Sequence, residues 1–173
     1  DDHSVPHLGC YGDSAVSTPN LDRFASEGMV FDKQFCVAPQ CVPSRAGFLT
    51  GRSAVAARIT RFASPLPSDV PTLPDLLRAN GYFTGICRRC FHLDGPIEPN
   101  SIVADVFAQH PELRTFSRRV DFLDVSEPRS KTVPAVGKFL DLVPEGKPFF
   151  LWLSLDEPHH PWDLPAPHKP TDA

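Results

Sequence analysis

The chain has 173 residues and a mass of 19.1 kDa, a length typical of one domain with a sizeable core. Its 41 % apolar and 22 % charged residues are typical of a soluble globular protein, and its net charge of −4 disfavours a general nucleic-acid binder. The longest apolar run, residues 148–155, is too short to span a bilayer, so no membrane span is predicted.

The first predicted helix lies between residues 18 and 28. Thr18 is a good N-cap, Pro19 suits the first helical position, and Gly28 suits the stop. Residues 29–31, Met-Val-Phe, predict a short strand directly after this helix.

Two more helices and a strand are predicted in the next part of the chain. The second helix is expected to begin just after Pro43 and to run toward Gly51. The third is expected to begin with Thr72 as its N-cap and to end at Gly81. Residues 82–87 predict a strand immediately after it.

The last part of the chain alternates between weak and strong patterns. Residues 88–127 are rich in proline and weakly periodic, and they predict mostly loop. A fourth helix is predicted over residues 133–143, and residues 144–146 predict a turn. Residues 149–155 form a continuous apolar run, which is typical of a strand that is buried on both faces.

A helix followed by a buried strand therefore occurs at least twice. This order predicts an α/β fold in which helices cover both faces of a largely parallel sheet. In such sheets the chemistry lies beyond the carboxyl ends of the strands. Residues 88–92 and 156–160 follow predicted strands, and residues 1–2 would follow a strand that lies upstream.

The segment that begins at Cys41 combines a thiol with the start of a helix. Free N–H groups and the helix dipole favour anions there. Arg45 follows about one turn later, where its guanidinium would neutralise an oxyanion. These residues predict a nucleophile in an anion pocket, but they fit a buried structural cysteine equally well.

The whole segment, residues 41–52, reads C-V-P-S-R-A-G-F-L-T-G-R. It resembles the sulfatase signature C-x-P-S-R-x-x-x-L-T-G-R at all eight defined positions. The chain is thus similar to the cysteine-type sulfatases of the alkaline phosphatase superfamily. The resemblance implies an alkaline phosphatase-like sulfatase fold, with residues 1–173 as the N-terminal part of a single catalytic domain. The first strand and the C-terminal part of that domain are expected to lie outside this chain.

Several site residues are implied by this resemblance alone. Cys41 would be oxidised to formylglycine by a formylglycine-generating enzyme, and its hydrate would be the nucleophile. Asp1 and Asp2 look like the Asp-Asp pair that ligates one calcium ion together with residue 41, and paired carboxylates suit such a hard cation. Arg45 would brace the hydrate and the negative charge of the site.

The remaining site residues come from two segments that match the family less fully. Residues 85–95 look like the family's Gly-Lys-x-His element, with Arg89 in place of the lysine, His92 as the histidine, and one extra residue between them. His159 matches the histidine of an x-Pro-His-x-Pro element, where it would protonate the leaving group. The pair Cys87 and Cys90 could instead be a redox pair or half of a zinc site.

The function implied is hydrolysis of a sulfate ester or N-sulfate, on a sulfated glycan or another sulfated small molecule. Two alternatives stay open: a phosphonate or phosphodiester hydrolase of the same superfamily, and a fragment that is catalytically incomplete, because later calcium ligands of the family do not occur in this chain. The family's usual locations are the periplasm, the lysosome or the extracellular space.

Overall fold

The computed structural model describes residues 3–62, 64–88, 91–94, 102–125, 132–155 and 158. It divides into two compact units, Asp1–Phe35 with Asp156–Ala173, and Cys36–Leu155. The helices are α1 (Pro19–Ser26), α2 (Cys41–Thr50), α3 (Leu73–Ala79), α4 (Phe91–Asp94), α5 (Ile102–Gln109) and α6 (Thr132–Leu142), and the strands are β1 (Phe83–Arg88), β2 (Phe122–Asp124) and β3 (Phe149–Ser154). Short 3-10 helices cover Val5–His7, Gly9–Tyr11, Pro111–Leu113 and Ser117–Arg119. None of the described helices is long and apolar enough to cross a membrane.

The second unit is built on a parallel sheet of three described strands. Its order is β2-β1-β3, and β1 pairs in parallel with both neighbours. Ile86 on β1 lies opposite Leu123 on β2 and Trp152 on β3. Successive residues of a strand face opposite sides of the sheet, so this register decides which side chains meet each helix layer. The predicted α/β fold with a parallel sheet is confirmed.

One face of the sheet is covered by α6. Phe139 of this helix is fully buried, and its ring lies 5.5–5.7 Å from the rings of Phe83, Phe122 and Phe149. The strand residue beneath it is Gly85, where an added Cβ would lie 2.4 Å from the Phe139 ring. The absence of a side chain at Gly85 therefore lets α6 pack closely on the central strand.

The opposite face carries α2. Val42, Ala46 and Leu49 of this helix are buried in one cluster with Ile86, and Trp152 packs against that cluster. Phe48 meets the Trp152 ring edge-on at a centroid distance of 5.6 Å. Burial of side chains such as Val42 and Leu49 contributes about 1.5–3 kcal/mol each, and this anchors the buried face of α2.

In the first unit, α1 is tied to the loop that precedes it. Thr18 occupies the predicted N-cap position, but its side chain makes no capping bond. Its hydroxyl oxygen instead accepts the Gly9 N–H at 2.9 Å and donates to the Asp22 carboxylate at 3.0 Å. The same carboxylate oxygen accepts the Cys10 N–H at 2.8 Å. Thr18 and Asp22 thus hold this loop against the helix.

Three predicted elements differ from the structure. Residues 29–31 form no strand, and Phe31 uses its carbonyl to accept the Tyr11 hydroxyl. The second helix begins at Cys41, before Pro43, because a proline in the first turn removes only an N–H that the helix would leave unpaired. Within residues 88–127, predicted as mostly loop, the described part contains α4, α5 and β2.

The other elements were predicted within one or two residues. Thr72 and Asp75 form a capping box at the start of α3. Gly81 and Gly146 take the positive φ values, 90° and 73°, that their predicted turns require. Strand β3 differs in burial: it pairs only with β1 among the described residues, and Phe149 and Leu153 are 48 % and 41 % exposed.

Candidate active site

The first turn of α2 presents an anion-binding end. Cys41 is the first helical residue, and it is a half-buried free thiol. Gln40 at the N-cap makes no side-chain capping bond, and no acidic residue lies in the first turn. The first N–H groups of a helix have no partner inside it. Together with the helix dipole they favour a negative charge beside the Cys41 thiol.

Arg45 lies one turn further along the same helix. Its Nη1 donates to the Cys41 carbonyl at 3.4 Å, which holds the guanidinium near the helix start. Arg45, Ser44 and Phe48 also line a groove of about 550 Å³, whose other wall is formed by residues 150–153 of β3. The structure therefore brings Cys41 and Arg45 together, as the sequence predicts.

The second half of the signature segment is structural. Leu49 is buried in the core cluster. The Thr50 hydroxyl donates to the Ala46 carbonyl at 2.7 Å, and Gly51 ends the helix with a φ of 65° while its N–H donates to the Gly47 carbonyl. The residues from Cys41 to Thr50 thus form one helix, which is anchored by Leu49 and ends at Gly51.

The segment after β1 lies next to α2, because α2 packs against α4. His92 belongs to α4 by its backbone, while its side chain and Arg89 lie outside the described residues. Two residues that the sequence analysis did not single out flank this segment. Arg88 ends β1 with a φ of 76° and is 3 % exposed, and Asp94 ends α4 and is 2 % exposed. The burial of their charged side chains next to a predicted site marks Arg88 and Asp94 as candidates. Sequence reasoning missed them because burial is not visible in the sequence.

Cys87 lies on the α6 face of the sheet, where it packs with Ala135 and Phe139. Burial raises the pKa of its thiol, and the nearby charge of Asp124 raises it further. A protonated thiol in an apolar cluster is a poor metal ligand or redox nucleophile. This environment favours a structural role for Cys87 over the redox or zinc alternative.

The other predicted site residues, Asp1, Asp2, Arg89 and His159, lie outside the described residues. Within the described part of the chain, no group of three or more His, Cys, Asp or Glu side chains is placed to hold a metal ion. Because Asp1 and Asp2 lie outside the described residues, calcium binding stays a prediction.

Comparison with known proteins covers the chain from end to end. Residues 1–173 match the sulfatase family model. Human iduronate 2-sulfatase is 29 % identical over 92 % of this chain and 34 % of its own length. An N-acetylglucosamine-6-O-sulfatase of Bacteroides thetaiotaomicron is 32 % identical over 96 % of this chain and 30 % of its own length. A protein solved in complex with its substrate D-glucosamine-2-N,6-O-disulfate superposes with a TM-score of 0.73 at 26 % identity, over 94 % of this chain and 34 % of that one.

The chain spans about a third of the length of these relatives. The family match nevertheless covers every residue, and the parallel sheet with helices on both faces agrees with the superposition. The signature helix with Cys41 and Arg45 lies within the matched part. On these grounds the chain belongs to the sulfatase family.

Proposed function

We propose that the full-length protein is a sulfuric ester hydrolase, and that Cys41, once oxidised to formylglycine, is its nucleophile. The observation that carries this proposal is the signature segment, residues 41–52, whose first ten residues form one helix with the thiol at its N-terminus and Arg45 held beside it. A sulfate ester is an anion, and this end of α2 attracts anions through its amides, its dipole and the guanidinium.

After oxidation, residue 41 would supply a geminal diol: one hydroxyl would be the nucleophile for sulfur, and loss of the proton from the other would expel sulfate and restore the aldehyde. The residues of the chain bind and orient the substrate around that group. Arg45 neutralises sulfate oxygens from its place one turn into α2, and the amides of Cys41 and Val42 donate to the same oxygens. A formylglycine-generating enzyme is the partner that maturation requires.

The remaining site residues are proposed on the family motif. Arg89 contributes a second permanent positive charge, and a guanidinium binds sulfate oxygens in a planar fork. His92 completes the sulfate site from α4. His159 protonates the leaving oxygen, a role that suits histidine because its pKa lies near neutral pH. Asp1 and Asp2, with residue 41, would hold one Ca²⁺ ion through oxygen ligands.

For the substrate, we propose a sulfated glycan. One relative is named for a 6-O-sulfated amino sugar, and the superposed structure holds a disulfated glucosamine. The groove of about 550 Å³ beside Arg45, lined by Phe48 and Trp152, is compatible with a sugar ring, because aromatic faces pack well against apolar sugar faces.

The test uses the full-length protein produced together with a formylglycine-generating enzyme. Peptide mass spectrometry should find formylglycine at position 41, and the protein should hydrolyse an aryl sulfate and release sulfate from sulfated disaccharides. An aryl phosphate diester and an aryl phosphonate monoester serve as competing substrates, and Cys41→Ala as the inactive control. Faster turnover of the phosphorus substrates would support the alternative hydrolase instead. An active enzyme that keeps an unmodified thiol at Cys41 would contradict the proposal.

A further inference from the structure

Asp94, the last residue of α4, is a buried carboxylate with two backbone donors. One carboxylate oxygen accepts the Phe116 N–H at 2.6 Å and the other accepts the Ser117 N–H at 3.0 Å. A carboxylate that is 2 % exposed is costly to bury unless such bonds satisfy it. Charge-assisted bonds of this kind are short and strong, so they fix the end of α4 to the segment at residues 116–117.

The backbone of the same turn is held as well. The Leu93 carbonyl accepts the Leu66 N–H at 2.8 Å, and Leu93 itself is buried in the core cluster. The Asp94 carbonyl accepts a bond from Arg114 Nη1 at 3.1 Å. The end of α4 is therefore held by bonds to two separate segments of the chain, at residue 66 and at residues 114–117.

The other end of the segment is constrained too. Arg88 is buried at the carboxyl end of the central strand, with a φ of 76° that is normal for glycine and costly for arginine. Such backbone strain persists only where the surroundings over-determine it, and it clusters at functional sites. Arg88 and Asp94, which precede and follow Arg89 and His92 in the chain, are thus both buried.

We propose that Asp94 is a positioning residue for the sulfate site, which holds α4 so that His92 meets the sulfate group correctly. This inference rests on the proposed function, in which His92 belongs to the site. Catalytic groups must be held close to their productive positions by supporting hydrogen bonds, and a displacement of about 1 Å costs on the order of 10²-fold in rate. The bonds of the Asp94 carboxylate supply that support two residues after His92 in the chain.

The test is a double-mutant cycle between positions 94 and 92 in the full-length, formylglycine-containing protein. Asp94→Asn keeps the shape of the side chain, but its NH₂ group meets a backbone N–H and cannot accept it. We expect kcat/KM for an aryl sulfate to fall about 10- to 100-fold, mostly through kcat. In a His92→Gln background the same change should have little further effect on kcat/KM, while the loss in Tm should be equal in both backgrounds.

Asp75→Asn is the matched control. Its carboxylate also accepts a backbone N–H, that of Thr72, and it binds Arg119, but it caps α3 and supports no proposed site residue. We expect a lower Tm and a kcat/KM close to that of the wild type. If Asp94→Asn does not fold, Asp94→Glu enters the same cycle, because it keeps the charge but moves the carboxylate by one methylene from the Phe116 and Ser117 N–H groups.

The outcomes separate this inference from the function on which it rests. A further loss in the His92→Gln background that is as large as in the wild type would show that Asp94 does not act through His92, and would overturn the inference alone. Wild-type activity in His92→Gln would remove His92 from the site and the inference with it. Where a variant turns over too slowly for kinetics, the Kd of inorganic sulfate, measured by calorimetry, replaces kcat/KM in the cycle.

Discussion

At position 41 a thiol occupies the first residue of a helix whose N-cap side chain makes no capping bond. The N-terminal end of the helix dipole lies beside this thiol, and the guanidinium of Arg45 donates to the Cys41 carbonyl at 3.4 Å. Both effects act on any group at position 41, because they come from the helix and not from the thiol itself. The side chain at position 41 can therefore be changed without removing the anion pocket.

Cys41→Ser in the full-length protein is expected to abolish turnover of aryl sulfates while the Tm stays unchanged. Serine suits the start of a helix, but it offers one hydroxyl where the proposed reaction needs two. Turnover and thermal unfolding are compared with those of Cys36→Ser, an exposed cysteine that should keep full activity. Rapid turnover by the Cys41→Ser protein, in a host that does not oxidise serine, would refute the formylglycine mechanism.

Gly85 is a second position where a single residue decides the packing. Gly85→Ala is expected to lower the free energy of unfolding by about 1–3 kcal/mol, because the new Cβ would lie 2.4 Å from the Phe139 ring. Gly137→Ala, in α6 with open space around it, should stabilise the protein by up to about 1 kcal/mol through helix propensity. Denaturant unfolding measures both, and Phe139→Leu should recover part of the Gly85→Ala loss. Equal effects of the two alanines would contradict the close packing of α6 on β1.

At the scale of elements, one carboxylate joins α3, β1 and the start of β2. The carboxylate of Asp121 accepts the Thr84 N–H at 2.9 Å and the Thr84 hydroxyl at 3.1 Å, and it pairs with Arg78 at 2.8 Å. Burial acts to raise the pKa of Asp121, but the bonds from Thr84 and the charge of Arg78 outweigh it, so the pKa lies below its ordinary value. The ionised carboxylate therefore stabilises the folded chain.

Asp121→Asn should cost about 1–3 kcal/mol at neutral pH, because buried donors lose an ionised acceptor. A lowered folded-state pKa means that this stabilisation is fully present above the unfolded-state pKa of about 4 and is lost as the pH falls through the folded-state value. Unfolding at pH 7 and at decreasing pH should show the difference between wild type and variant shrinking only below about pH 4. Asp69→Asn, which removes an exposed ion pair with Arg58, should change nothing measurable. A difference that does not depend on pH would contradict the assigned role.

At the scale of the whole molecule, the chain spans about a third of its relatives' length, so the metal is best tested in the full-length protein. Chelation is expected to abolish activity and lower the Tm, and Ca²⁺ should restore both. A ligand present at about 100 times its Kd stabilises the folded state by about 2.7 kcal/mol, which is readily seen in thermal unfolding. Asp2→Ala should remove the Tm response to Ca²⁺, whereas Asp13→Ala, an acidic residue outside the predicted ligand set, should keep it. A full Tm response in Asp2→Ala would exclude Asp2 as a ligand.

The sequence by itself determined the features that depend on local chemistry. The capping box at Thr72, the turns at Gly81 and Gly146 and the signature helix ending at Gly51 all follow from residues a few positions apart. The family follows from the signature segment, residues 41–52. The pairing of Cys41 with Arg45 follows because these two residues lie about one helical turn apart. Periodicity predicted the α/β class, because helix and strand patterns alternate along the chain.

Only the tertiary structure decided the features that depend on distant residues. Strand β2 has three residues, too few for a periodic pattern, and it exists because it pairs with β1. The burial of Asp94 depends on the amides of residues 116–117, about twenty positions away, and no local pattern reports it. The strained φ of Arg88 is likewise invisible in the sequence, because an arginine takes that conformation only when the packed surroundings impose it.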